Sequence, residues 1–139
     1  MKILILNGAN LNLLGTREPD IYGSTSMDDV LTHLKSEYSQ HAIEYFQSNF
    51  EGEIIGKIQE NEFDALVINP GAFTHYSYAI ADALKNLRKP KIEVHISNIY
   101  QREEFRQKSV TAAYTDAVLS GFGTEGYRLA IIHLISIVK

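Results

Sequence analysis

Two short runs with no polar residue constrain this chain more than any other feature. They are Ile3-Leu4-Ile5-Leu6 and Ala65-Leu66-Val67-Ile68. A run of that length, bounded by turn residues, reads as a strand buried on both faces. Between and after the runs lie apolar stripes at helical spacing: Val30, Leu31, Leu34 and Tyr38; Ile54, Ile55 and Ile58; Ala79, Ile80, Ala83, Leu84 and Leu87. Further strands are expected over Ala42–Phe46, over Lys91–Ile96 and around Ala117–Leu119. A last helix is expected from Glu125 to Val138.

The punctuation supports these boundaries. Thr25 or Ser26 is placed to cap the first helix, with Asp28 and Asp29 in a first turn where the helix dipole favours anions. Ser48 or Asn49 is expected to cap the second helix and Thr124 the last, while Pro90 marks the break after a third helix spanning Ser77–Leu87. Arg102 to Arg106 reads as a short polar helix or turn. Strands alternating with helices imply a parallel sheet covered on both faces and joined by right-handed crossovers. About five strands within 139 residues suggest one α/β domain over residues 1–139, of the flavodoxin-like doubly wound kind with strand order 2-1-3-4-5. Such sheets bind ligands beyond the carboxyl ends of their strands, where the strand order reverses.

The longest irregular stretch, Asn7 to Gly23, begins at one of those carboxyl ends. Its asparagines, glycines and Pro19 break both regular periods. Loops of that length in a compact domain are commonly functional when ordered. This one carries Arg17 and Tyr22. A guanidinium within about 4–6 Å favours a phenolate and makes a tyrosine with a reference pKa of about 10 a usable base. The plainer alternative is that Tyr22 fills the core and Arg17 is a solvated loop charge.

Other polar residues fall at the same rim. Asn10 follows strand one, Asn69-Pro70-Gly71 and His75 follow strand three, and His95, Ile96, Ser97, Arg102 and Arg106 follow strand four. Each has a structural alternative. Asn69-Pro70-Gly71 makes a turn, His75 could cap a helix, and a lone strand-end histidine is commonly a hydrogen-bonded structural group. Glu93 shares a strand face with His95, where it could fix the imidazole tautomer or face water. The two arginines form a solvated face or a carboxylate clamp. Their convergence on one edge is the signal.

Composition closes several routes. A net charge of −4 argues against nucleic-acid binding, whose footprint is a basic patch. There is no cysteine, hence no disulfide or thiolate chemistry. The first apolar run is too short for a signal peptide, and Leu129–Val138 is about half a membrane span carrying His133. That C-terminal run reads as a buried helix, and a cytoplasmic protein is expected. The histidines show no zinc spacing, so no metal is expected. Gly121-Phe-Gly123-Thr-Glu-Gly126 matches GxGxxG, but no second strand and ribose-binding acid follow, so a tight turn into the last helix suffices.

Taken as ordered blocks, the residues resemble a known family. Asn7-Gly8-x-Asn10-Leu11, Gly15-x-Arg17-Glu18-Pro19-x-Ile21-Tyr22-Gly23, Ile68 to His75, Ile92 to Asn98, Arg102 to Arg106, and Gly121-Phe122-Gly123 with Gly126-Tyr127 look like the type II 3-dehydroquinases. The resemblance runs from residue 7 to residue 127. It implies a cofactor-free, flavodoxin-like lyase that removes water from 3-dehydroquinate to give 3-dehydroshikimate in the shikimate pathway of aromatic amino-acid biosynthesis. Tyr22 would be the base and Arg17, on a lid loop, would hold it ionised. Asn10 would stabilise the enolate, His95 would protonate the leaving hydroxyl, and Glu93 would orient His95. Asn69, His75, Ile96, Ser97 and Arg106 would bind substrate. Asp82 would reach a neighbouring subunit's site, implying a homo-oligomer, typically a dodecamer built from trimers. Ala9 stands where the family usually has proline, and Ala81 where it commonly has arginine. The stretch from Gln107 to Ala113 is less typical. The alternative is a non-catalytic flavodoxin-like module that binds a phosphate or flavin through the glycine-rich turn.

Overall fold

A computed structural model describes residues 1–16, 20 and 25–138 of the chain. The apolar runs become the middle of a parallel sheet. Strands β1 (Lys2–Asn7), β2 (Ala42–Gln47), β3 (Ala65–Asn69), β4 (Lys91–His95) and β5 (Ala117–Ser120) are ordered β2-β1-β3-β4-β5. All four pairings are parallel. Helices α1 (Met27–Glu37), α2 (Glu51–Glu60), α3 (Tyr78–Asn86) and α4 (Glu125–Ile137) cover it. This is the doubly wound order expected from the alternation of elements.

The pleat of β1 shows why both faces need helices. Ile3 and Ile5 pack with Val30, Leu31 and Leu34 of α1 and Tyr127, Ala130, Ile131 and Leu134 of α4. Leu4 and Leu6 face the other way, into Ile54 and Ile58 of α2 and Ile80, Ala83 and Leu84 of α3. Each such side chain contributes about 1.5–3 kcal/mol when fully buried. A one-residue slip of β1 would exchange the two sets and mismatch both cores.

The capping expectations divide. Ser26 Oγ accepts the Asp29 N–H at 3.2 Å, as expected; the cap of α3 is Ser77, expected only as a residue of that helix, whose Oγ accepts the Ile80 N–H at 3.1 Å. The cap of α2 differs: its cap position is Phe50, which gives no side-chain bond. Ser48 Oγ instead accepts the Phe50 N–H and donates to Glu53, while Asn49 Oδ1 accepts the Asn10 N–H at 2.8 Å. Asn49 is thus spent on holding the loop after β1. Thr124 makes no side-chain cap bond to α4. That helix is buried on one face only, since Ile132 and Ile137 are exposed. The stretch between β4 and β5 is longer and more wound than a single turn: 3-10 segments cover Ile99–Gln101, Glu104–Arg106 and Ala112–Tyr114. No helix among the described residues is long and apolar enough to cross a membrane.

The strand order reverses between β1 and β3, so the segments leaving them diverge around a crevice. Their first residues nevertheless touch. Gly8 N–H donates to the Asn69 carbonyl at 2.8 Å. A Cβ on Gly8 would lie 2.1 Å from the Pro70 carbonyl oxygen, and one on Gly71, at φ 63°, would lie 2.7 Å from that of Ala9. Only glycine permits this backbone-to-backbone approach.

Candidate active site

Beyond these glycines a cavity of about 130 Å³ opens, lined by Ala9, Asn10, Leu11, Asn69, Gly71, Ala72, His75, His95, Ile96, Ser97, Ile99, Arg102 and Arg106. Eight of the side chains singled out from sequence are therefore gathered in one wall: Asn10, Asn69, His75, His95, Ile96, Ser97, Arg102 and Arg106. Asp82 is not among them. It lies on the exposed side of α3. Arg17 and Tyr22 lie outside the described residues.

Asn10 adopts a left-handed backbone, φ 68°, a conformation that asparagine tolerates better than most residues. With Asn49 holding its N–H, it stands at the cavity edge. Asn69 is 3% exposed and its amide is committed. Its Nδ2 donates to the Tyr127 hydroxyl at 3.1 Å, and its Oδ1 accepts the Gly71 N–H at 3.1 Å. Tyr127 in turn donates to Asn7 Oδ1 at 2.8 Å, and Asn7 Nδ2 donates to Tyr45 at 3.3 Å. Burial raises the pKa of both tyrosines. The network is uncharged and fixes Asn69 from beneath.

Glu93 and His95 form the second buried group. The Glu93 side chain is fully buried, His95 is 6% exposed, and His95 Nε2 meets Glu93 Oε2 at 2.8 Å. The shared strand face led here, and the possibility that Glu93 faces water is removed. Burial pushes the Glu93 carboxyl up, but His95 and the hydroxyls of Thr111 and Ser109 together hold it below the usual carboxylate range. An ionised Glu93 accepts Nε2–H and leaves Nδ1 as the second ring nitrogen.

His75 does not cap α3. It closes the 3-10 turn Gly71–His75, and its Nδ1 lies 2.7 Å from the Lys108 carbonyl. Desolvation chiefly lowers its pKa, and the nearby His95 and Arg106 act the same way, against the Lys108 carbonyl. A neutral His75 donates through Nδ1–H and so offers Nε2 as an acceptor. Arg102 Nη1 donates to Ser97 Oγ at 3.3 Å, and Arg106 Nε donates to Glu103 Oε2 at 2.7 Å. Two guanidinium groups in one wall suit an anionic ligand.

The glycine-rich turn is built differently from a phosphate cradle. Gly121 N–H donates to the His95 carbonyl at 3.2 Å, Gly123 N–H to that of Ile96 at 3.0 Å, and Gly126 N–H to that of Gly123 at 3.3 Å. These three N–H groups are turned onto backbone carbonyls, and two of them pin the turn to the end of β4 and the residue after it.

Sequence reasoning passed over Thr74, Ser109, Thr111, Asn7 as a side chain, and Tyr127 as more than a motif residue. Hydroxyl residues in an irregular loop carry no period, so no local pattern marks them. Ser109 and Thr111 were visible only as members of a less typical stretch.

The order of the strands and the placement of the cavity define a doubly wound α/β protein with a ligand crevice at the carboxyl ends of its strands. Comparison with known proteins narrows this. Residues 1–135 match the family described as dehydroquinase class II, and the chain belongs to that family. It is 54% identical over 133 residues to a 3-dehydroquinate dehydratase of Thermotoga neapolitana, covering 94% of this chain and 92% of the relative. It is 55% identical over 138 residues to one of Caldicellulosiruptor bescii, covering 96% and 95%. The crystal structure of a type II dehydroquinase from Butyrivibrio crossotus superposes with a TM-score of 0.93 at 49% identity, covering 97% of each chain.

Proposed function

We propose that this protein is a type II 3-dehydroquinate dehydratase, a hydro-lyase acting in the shikimate route to aromatic amino acids. The observation that carries the reading is the buried Glu93–His95 pair opening into a cavity walled by Arg102 and Arg106. Eliminating water beta to a ketone needs a base, a group to stabilise the enolate and an acid for the departing hydroxyl. Tyr22, as phenolate, takes the proton at C2, next to the C3 ketone. Asn10, at the cavity edge, stabilises the enolate. As the enolate collapses, the C3 carbonyl re-forms, a new C1=C2 double bond appears, and the C1 hydroxyl takes a proton from His95 and leaves as water. Glu93 holds the imidazole oriented through Nε2.

Bringing a tyrosine from a pKa of about 10 to about 7 takes roughly 4 kcal/mol, which Arg17 supplies with help from a second cation. The substrate carboxylate and ring hydroxyls fall to Arg106, Ser97 and Ile96, with His75 Nε2 accepting from a hydroxyl. Asn69 acts as a fixed wall whose second Nδ2 hydrogen is its remaining donor. Asp82, exposed on α3, serves a neighbouring protomer in a homo-oligomer of trimers, a dodecamer.

Turnover of 3-dehydroquinate, followed by absorbance of the conjugated enone product, tests the reading. Wild type is expected to be active, and Tyr22→Phe to lose at least about 10³-fold in kcat, near the scale set by removing a general base, while still binding substrate. A near-normal kcat in that variant would remove Tyr22 from the role of base.

A further inference from the structure

Beneath the Glu93–His95 pair lie three hydroxyls that do not line the cavity. Thr74 comes from the turn after β3, and Ser109 and Thr111 from the segment before β5. Thr111 Oγ1 donates to Glu93 Oε1, and Ser109 Oγ donates to Glu93 Oε2 at 2.9 Å. Thr74 Oγ1 lies 2.7 Å from both Ser109 Oγ and Thr111 Oγ1, and 3.3 Å from Glu93 Oε2. Thr74 and Thr111 are fully buried. The segment carrying Ser109 and Thr111 is itself held in place: Val110 N–H donates to the Thr74 carbonyl at 2.7 Å, and Ala112 N–H donates to Ser109 Oγ at 3.0 Å.

A carboxylate has no donor of its own, so its direction is set by the donors around it. With His95 alone, Glu93 could turn about its last bond and still keep one contact. Donors on both oxygens remove that freedom. We propose that Thr111, together with Ser109 and Thr74, is a positioning group for the reaction: the hydroxyls grip both oxygens of Glu93 and hold Oε2 against His95 Nε2. The proposal rests on His95 acting as the acid. The titratable groups facing the cluster are His95 on β4 and His75 on the turn beside Thr74, with Arg106 beyond His75. The same two-residue step, Thr74-His75, therefore joins the grip on Glu93 to the cavity wall.

Thr111→Val keeps the shape and removes the donor, whereas Thr111→Ser keeps the donor. In Thr111→Val, kcat is expected to fall about 10-fold, less than the roughly 10²–10⁴-fold that a general acid itself contributes, with KM within about twofold. The Glu93 carboxyl carbon, followed by 13C NMR, is expected to titrate at higher pH than in wild type, because an anion stabiliser is gone. Thr111→Ser is expected to restore both readings. Should Thr111→Val not fold, Ser109→Ala tests the Oε2 donor with the same signs. An unmoved carboxyl titration in the valine variant, or in Ser109→Ala in its place, overturns the proposal even if kcat falls, since that pattern belongs to packing. So does a serine variant that behaves like valine. Wild type without turnover of 3-dehydroquinate counts against the substrate reading instead, and the carboxyl titration still decides the grip.

Discussion

Two polar networks are buried side by side under the cavity, and they solve the same burial problem in opposite ways. Asn7, Tyr127, Asn69 and Tyr45 are linked by neutral hydrogen bonds only. Glu93, His95, Thr74, Ser109 and Thr111 surround a carboxylate whose burial opposes ionisation and whose donors restore it. A neutral network needs its partners for stability but does not change state with pH. A charged one carries a group that is able to exchange a proton, at the cost of needing a donor for each lone pair it hides. The first fixes where a wall stands, while the second holds a carboxylate oxygen against the His95 ring.

Glu93→Gln breaks the contrast most severely, because it makes the charged network neutral. Its kcat is expected to fall by on the order of 10²-fold, within the range lost with a general acid, with substrate affinity largely kept; steady-state kinetics with a binding titration read this. The same variant alters stability against pH. The folded-state pKa of Glu93 is depressed, so its contribution is fully present above the unfolded value of about 4.3 and is lost as pH falls through the lower folded value. Urea midpoints between pH 7 and pH 3 should therefore fall less steeply in Glu93→Gln than in wild type.

Tyr127→Phe cuts the neutral network at its centre and leaves Asn7 Oδ1 and Asn69 Nδ2 short of a partner. A loss of about 1–3 kcal/mol is expected for unsatisfied buried groups. Denaturant melts should show it with the same pH slope as wild type, and a changed slope would mean that the two networks are coupled. Tyr45→Phe should do least. It removes only the 3.3 Å bond from Asn7, at the part-buried end of the chain of bonds, and about 0.5–1.5 kcal/mol or less is expected by the same melts.

The fold was legible because its signals are local or periodic. Ile3–Leu6 and Ala65–Ile68 announce strands buried on both sides, and the helix stripes between them leave few arrangements besides a doubly wound sheet. The caps were half legible: Ser26 acts as expected, Ser77 caps a helix for which the sequence offered His75, and Ser48 and Asn49 are drawn to Glu53 and Asn10 by tertiary contacts. The rim was legible as a set, since a parallel sheet brings the ends of β1, β3 and β4 together whatever the residues there. Pairing along one strand gave Glu93 and His95. The hydroxyls around Glu93 were not legible, because Thr74 and Thr111 meet across 37 residues. The same holds for Tyr127, whose bond to Asn7 spans 120 residues. Asp82 was reached through family resemblance alone, and it lies outside the cavity.

The contact of Gly8 with Pro70 and of Gly71 with Ala9 has a consequence for anyone redesigning this pocket. Two segments far apart in the chain are interlocked at their roots, so they behave as one cassette. A library that varies the cavity-lining positions 9 and 72 while freezing both glycines explores new specificities on an intact scaffold. Recombination that draws the two segments from parents with different backbone paths will produce chimaeras that collide at the root before any substrate is offered.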